Sequence, residues 1–121
     1  MTPEKLKLVQ GINQALIEHG ALMTLDDLIG LARERRAQIW SDGNAIAATQ
    51  ILEFPQRRVL NILVGAGELD ALMAMQPRVE TFAREEGCSL MWTHGRSAWR
   101  RVGRRTGWLP HSILFTKSLP Q

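Results

Sequence analysis

Five arginines fall in the ten positions from Arg96 to Arg105, and three of the chain's four tryptophans, Trp92, Trp99 and Trp108, surround them. Guanidinium groups at this density suit phosphate, on a nucleic acid or a smaller ligand, or an acidic protein partner. The charge is polarised along the chain. Six basic side chains and no acid lie from position 95 onward, against nine basic and twelve acidic residues before it. That asymmetry points to an anionic partner on the C-terminal side. A DNA-recognition helix should follow another helix across a short turn. Here CSLMW, residues 88–92, reads as a buried strand, so nucleic acid ranks behind the other partners. The plain alternative is a solvated helix face.

Other reactive residue types carry less. His19, His94 and His111 are too scattered for a metal-ligand spacing, and no metal site is expected. The single cysteine, Cys88, excludes an internal disulfide and opens a strand, where a small core residue is expected. Met73, Met75 and Met91 fit core packing.

The elements that position these residues follow from periodicity. Residues 3–19 read as an amphipathic helix, capped by Thr2 and stopped by Gly20. TLDD, from Thr24, reads as a capping box that starts a second helix, and its arginines near the end complement the helix dipole. Residues 38–40 form a short apolar run. AIAATQILEF, 45–54, and RVLNILV, 58–64, read as a hairpin around PQR. Gly65, Ala66 and Gly67 are expected to break the second strand. A helical pattern runs from Glu68 to Glu86, and Pro77 is expected to divide it into a short piece and a main helix over 77–86. After the strand at 88–92, Ser97 is a candidate cap for a helix over 98–105, ended by Gly107, and SILFTKS, 112–118, reads as a final strand.

At 121 residues, with 45% hydrophobic and 22% charged side chains, the chain suits one α+β domain, residues 1–121. Nothing resembles a signal core, and no apolar run reaches the roughly 18 residues of a membrane span. A reducing cytoplasmic setting is the expectation.

This order of elements, with VLNILVGAGELDAL and AREEGCSLMWTHGRSAWRRVGRRTGW, resembles the GNAT superfamily of N-acetyltransferases over nearly the whole chain. FPQRRVL, GAGELDAL, AREEGC and GRSAWRR are similar to the pattern of small GNAT-like proteins of tailed phages and prophages. The resemblance implies a mixed, mostly antiparallel sheet flanked by helices. It implies acetyl-CoA as cofactor, held between strands 58–64 and 88–92 that splay apart. Its pyrophosphate would rest on the backbone N–H groups of Gly65, Ala66, Gly67, Glu68 and Leu69. Arg100 or Arg104 would meet a cofactor phosphate, and Glu53 would deprotonate an acceptor amine. On this reading a bulky residue at Gly67 abolishes CoA binding and leaves the fold intact.

Three departures are plain. Ile62 stands where the family's motif has Arg or Gln, the chain has no tyrosine to act as the family's usual acid, and it stops before a seventh strand. The rival expectation is therefore a catalytically silent phage protein, in a virion or the host cytoplasm, that binds a protein partner through its basic C-terminal face. The open sheet edge invites pairing with a second copy or docking into an assembly.

Overall fold

A computed structural model describes residues 2–18, 20–94 and 100–121, without the side chains of residues 100–102. The expectations for His19, Arg96, Ser97 and Trp99, and for the Arg100 side chain, lie outside the described residues.

Helix α1 spans Pro3–Glu18 and α2 spans Leu25–Arg33. Both start on side-chain caps. Lys5 N–H donates to Thr2 Oγ1 at 3.1 Å. Asp27 N–H donates to Thr24 Oγ1 at 3.1 Å, and Thr24 N–H returns the bond to the Asp27 carboxylate at 2.9 Å. The hydrogen bond from the Thr24 backbone N–H, then the one from the Thr24 side chain, holds the Asp27 carboxyl below its usual value. The stabilisation is therefore present above the unfolded carboxylate pKa and is lost as pH falls through the lower folded one. Thr24→Ala is expected to lower stability by about 1 kcal/mol, read as a shift in the urea midpoint with unchanged slope.

Four strands follow: β1 (Gln38–Ser41), β2 (Ala45–Glu53), β3 (Arg58–Gly67) and β4 (Leu90–Thr93). They lie side by side in chain order, β1–β2 and β2–β3 antiparallel and β3–β4 parallel. Asp42 Oδ1 accepts from Asn44 and Ala45 N–H at 3.0 Å and shapes the first hairpin. A parallel pair needs a crossover, and helix α3 (Leu69–Glu85) supplies it between β3 and β4. Helix α4 spans Arg100–Arg105.

Each sheet face has its own core. Ile12, Ala15, Leu16 and Leu28 from α1 and α2 cover Ala48 and Val64. Met75, Val79 and Ala83 from α3 cover Ala45, Ala47 and Leu60. Thr49 is the one polar side chain among the described buried residues, and it is satisfied on both sides. Its hydroxyl donates to Gln38 Oε1 at 2.8 Å and accepts from Trp40 Nε1 at 3.0 Å.

Three expectations are corrected. First, α3 runs unbroken through Pro77. Met75 and Val79 are buried on either side of the proline. Their burial against the sheet outweighs the hydrogen bond that Pro77 cannot donate. Second, β3 continues through Gly65, Ala66 and Gly67, which pair with Ala47, Ile46 and Ala45. Third, residues 112–118 form no strand. A strand needs a backbone partner as well as an apolar pattern, and Ile113, Leu114 and Phe115 stay 63–88% exposed.

Candidate functional site

The parallel strands β3 and β4 part company at one definite point. Their ladder runs from Val59–Leu90 to Ile62–Thr93, and β3 then continues alone to Gly67. The lower end is clamped. Arg57 donates from Nε to Ser89 Oγ at 3.0 Å and from Nη2 to Ser89 O at 2.7 Å, while Ser89 N–H donates to Arg58 O at 3.0 Å. At the upper end Thr93 Oγ1 donates to Ile62 O at 3.1 Å and closes the last rung.

The divergence has a local cause. Ala48 pairs with Val64 and Thr49 with Ile62, so Leu63 is an extra residue in β3. A bulge of this kind sharpens the twist and re-aims the strand. It lies next to the last β3–β4 pair, where the two strands must separate.

A cleft of about 1090 Å³ opens from this point between the sheet, α3, α4 and the C-terminal tail. That is the size of a small-molecule site. Its walls are mainly apolar, with Ile62, Leu72, Met73 and Met91 among them, and Gly65 and Leu69 lie along it. The α4 side is fastened to α3 by Gln76. Its Oε1 accepts from Trp108 Nε1 at 3.1 Å, and its Nε2 donates to Glu80 Oε1 at 3.2 Å and to Thr106 O at 3.4 Å. Trp108 also packs against Gly103, where a Cβ would stand 3.0 Å from that of the tryptophan. Sequence reasoning missed this Gln76–Trp108 link. Only the terminal GW of the resemblance hinted at it.

The turn into α3 leaves donors open. Glu68 is the N-cap residue and its side chain makes no capping hydrogen bond. Glu68 N–H is engaged by Asn44 O at 3.1 Å, and helical bonding starts with Leu72 N–H on Glu68 O at 3.0 Å. The amides of Leu69, Asp70 and Ala71 are therefore the first-turn donors without a helical acceptor. They carry the positive end of the helix dipole, which suits an anion.

The other expected residues are not gathered there. Glu53 pairs with Arg58 at the opposite end of β3 from Gly67, about 30 Å along the strand. Its carboxylate is bonded to Arg58 Nη1, is largely exposed, and does not line the cleft. Arg104 is exposed on α4 and does not line the cleft either. Gly67 has φ +107°, and a Cβ there would lie 2.3 Å from Asn44 O and 2.7 Å from Ala45 Cα. A bulky residue at Gly67 therefore does not leave the fold intact. Among the described residues no group of three or more His, Cys, Asp or Glu could hold a metal ion, and no helix is long and apolar enough to cross a membrane.

No family model and no curated protein matches the chain. Solved structures do match. A probable acetyltransferase superposes with a TM-score of 0.65 at 13% identity, over 100% of this chain and 95% of its own. A predicted acetyltransferase from Clostridium acetobutylicum, solved with acetyl-CoA, gives 0.66 at 15% identity over 97% and 92%. An aminoglycoside acetyltransferase from an uncultured soil metagenomic sample, solved with sisomicin, gives 0.67 at 11% over 98% and 90%. The chain thus shares the α+β fold of these acetyltransferases.

Proposed function

We propose that the protein is an acyl-CoA-dependent N-acyltransferase that uses acetyl-CoA and acylates a primary amine. One observation carries this reading: the cleft runs from the parting of β3 and β4 to the open amides at the start of α3. A thioester cofactor with a diphosphate needs both an apolar channel and an anion seat, and the two are continuous here. The amides of Leu69, Asp70 and Ala71, with Gly67 beside them, would hold the diphosphate. The apolar walls formed by Ile62, Met73 and Met91 would exclude water from the thioester. The cofactor supplies an activated acyl group. The amine nitrogen forms the new C–N bond as the C–S bond breaks and the thiolate leaves. The likeness to structures solved with acetyl-CoA and with an aminoglycoside supports the cofactor and the amine class.

Calorimetry of acetyl-CoA binding at low and high salt tests the reading. Micromolar affinity is expected, with modest weakening as salt screens the phosphates. Absence of heat up to millimolar acetyl-CoA would overturn it.

A second reading is favoured by the tail. Leu109, Ile113 and Phe115 are 74–88% exposed beside the exposed Arg104 and Arg105. An apolar segment next to a basic helix suits a protein partner, as expected for a phage protein that keeps the fold without the chemistry. Failed acetyl-CoA binding together with a captured acidic partner would favour it.

A further inference from the structure

We infer that His94 is the residue that takes the proton from the acceptor amine, a role that rests on the acyltransferase reading above. An amine that is protonated in water must lose a proton before its lone pair can attack a thioester. The group that receives it has to stand where the cofactor's reactive end meets solvent. That place is the point where β3 and β4 separate.

Among the described residues, the titratable side chains that line the cleft are Arg57, His94 and His111. From the elements packed around it, β2 contributes Ala47 and Thr49, and α3 contributes apolar side chains and Gln76, so among the described residues no carboxylate lines it. Arg57 is committed to Ser89 at the clamped end, and a guanidinium does not give up its proton. His111 lies on a tail with no backbone hydrogen bond to the sheet among those described. His94 directly follows Thr93, whose backbone pairs with Ile62 and whose hydroxyl bonds Ile62 O. Its backbone is thus anchored at the divergence, and its imidazole is exposed at the mouth. Imidazole is the side chain that exchanges protons near neutral pH.

The step balances without another reactant. The ammonium passes one proton to the His94 imidazole. The freed nitrogen attacks the thioester carbon, the C–N bond forms and the C–S bond breaks. The second nitrogen proton goes to the departing thiolate, and the imidazolium releases its proton to solvent.

Two readouts test this. In the first, imidazole resonances are followed by NMR while acetyl-CoA is added, with His94 assigned from its loss in His94→Gln. A His94 resonance that moves with saturation supports the assignment. Acetyl-CoA binding with His94 unmoved overturns it and leaves the acyltransferase reading standing. No binding removes that reading and this inference together. This readout needs no acceptor. The second follows thiol release with n-butylamine as the acceptor. His94→Gln should lower the rate about 100-fold or more and remove the acid limb of the pH–rate profile, at nearly unchanged acetyl-CoA affinity. Added imidazole should rescue His94→Ala in part. Loss of that limb in Glu53→Gln or His111→Gln, with His94→Gln unaffected, would overturn the assignment.

Discussion

Gly67→Ala is expected to lower the free energy of unfolding by about 3 kcal/mol or more. Two effects add at this one position. A φ of +107° lies where side chains with a Cβ are strained. The added carbon would also stand 2.3 Å from Asn44 O and 2.7 Å from Ala45 Cα, both backbone atoms that cannot swing away. The start of β2 or the end of β3 must shift, and Ala45, which is fully buried, lies in the path. Gly43 supplies the control. It has φ +96° with open space around it, so Gly43→Ala should show the conformational part alone, about 1–2 kcal/mol. Urea unfolding of the two variants gives the comparison. If Gly67→Ala loses no more than Gly43→Ala, the close approach of β3 to Asn44 is not present in solution.

Leu69→Pro should separate cofactor binding from folding in a way that Gly67 cannot. Leu69 is the first residue of α3, where proline is well tolerated because its missing N–H has no helical acceptor. Glu68 before it is extended at φ −70° and ψ 134°, the conformation that a residue preceding proline prefers. The substitution deletes one of three open amides and keeps an apolar side chain. One hydrogen bond to a charged group is worth about 1.5–3 kcal/mol. Acetyl-CoA affinity should therefore fall roughly 10- to 100-fold by calorimetry, with a melting temperature within a few degrees of the parent. Unchanged affinity would move the diphosphate away from this turn.

Local signals account for what could be read in advance. Thr2, and Thr24 with Asp27, are each decided within a few residues, and each formed as expected. The hairpin of β2 and β3 and the parallel return after a helix were legible from period and order. The glycines were legible as special but not for their reason. They read as the end of a strand, whereas Gly67 is a point where two backbones nearly touch across the sheet. Glu53 stood as a base only through the resemblance, and strand position alone does not reveal which end of the sheet opens. The histidines are too far apart in sequence for a metal-ligand spacing, and that spacing does not reveal that His94 lies at the cleft.

By itself, then, the sequence determined the helix starts, the alternation of buried faces, the hairpin and the helix that returns β4 alongside β3, because these depend on residues close along the chain. Tertiary structure decided the rest. Burial of Met75 and Val79 carried α3 through Pro77. Pairing of Ala45–Ala47 drew the glycines into β3, and the extra residue Leu63 parted it from β4. The lack of a backbone partner left residues 112–118 outside the sheet. Each of these outcomes sets a local preference against contacts with distant residues, and no short stretch of sequence contains both sides of that balance.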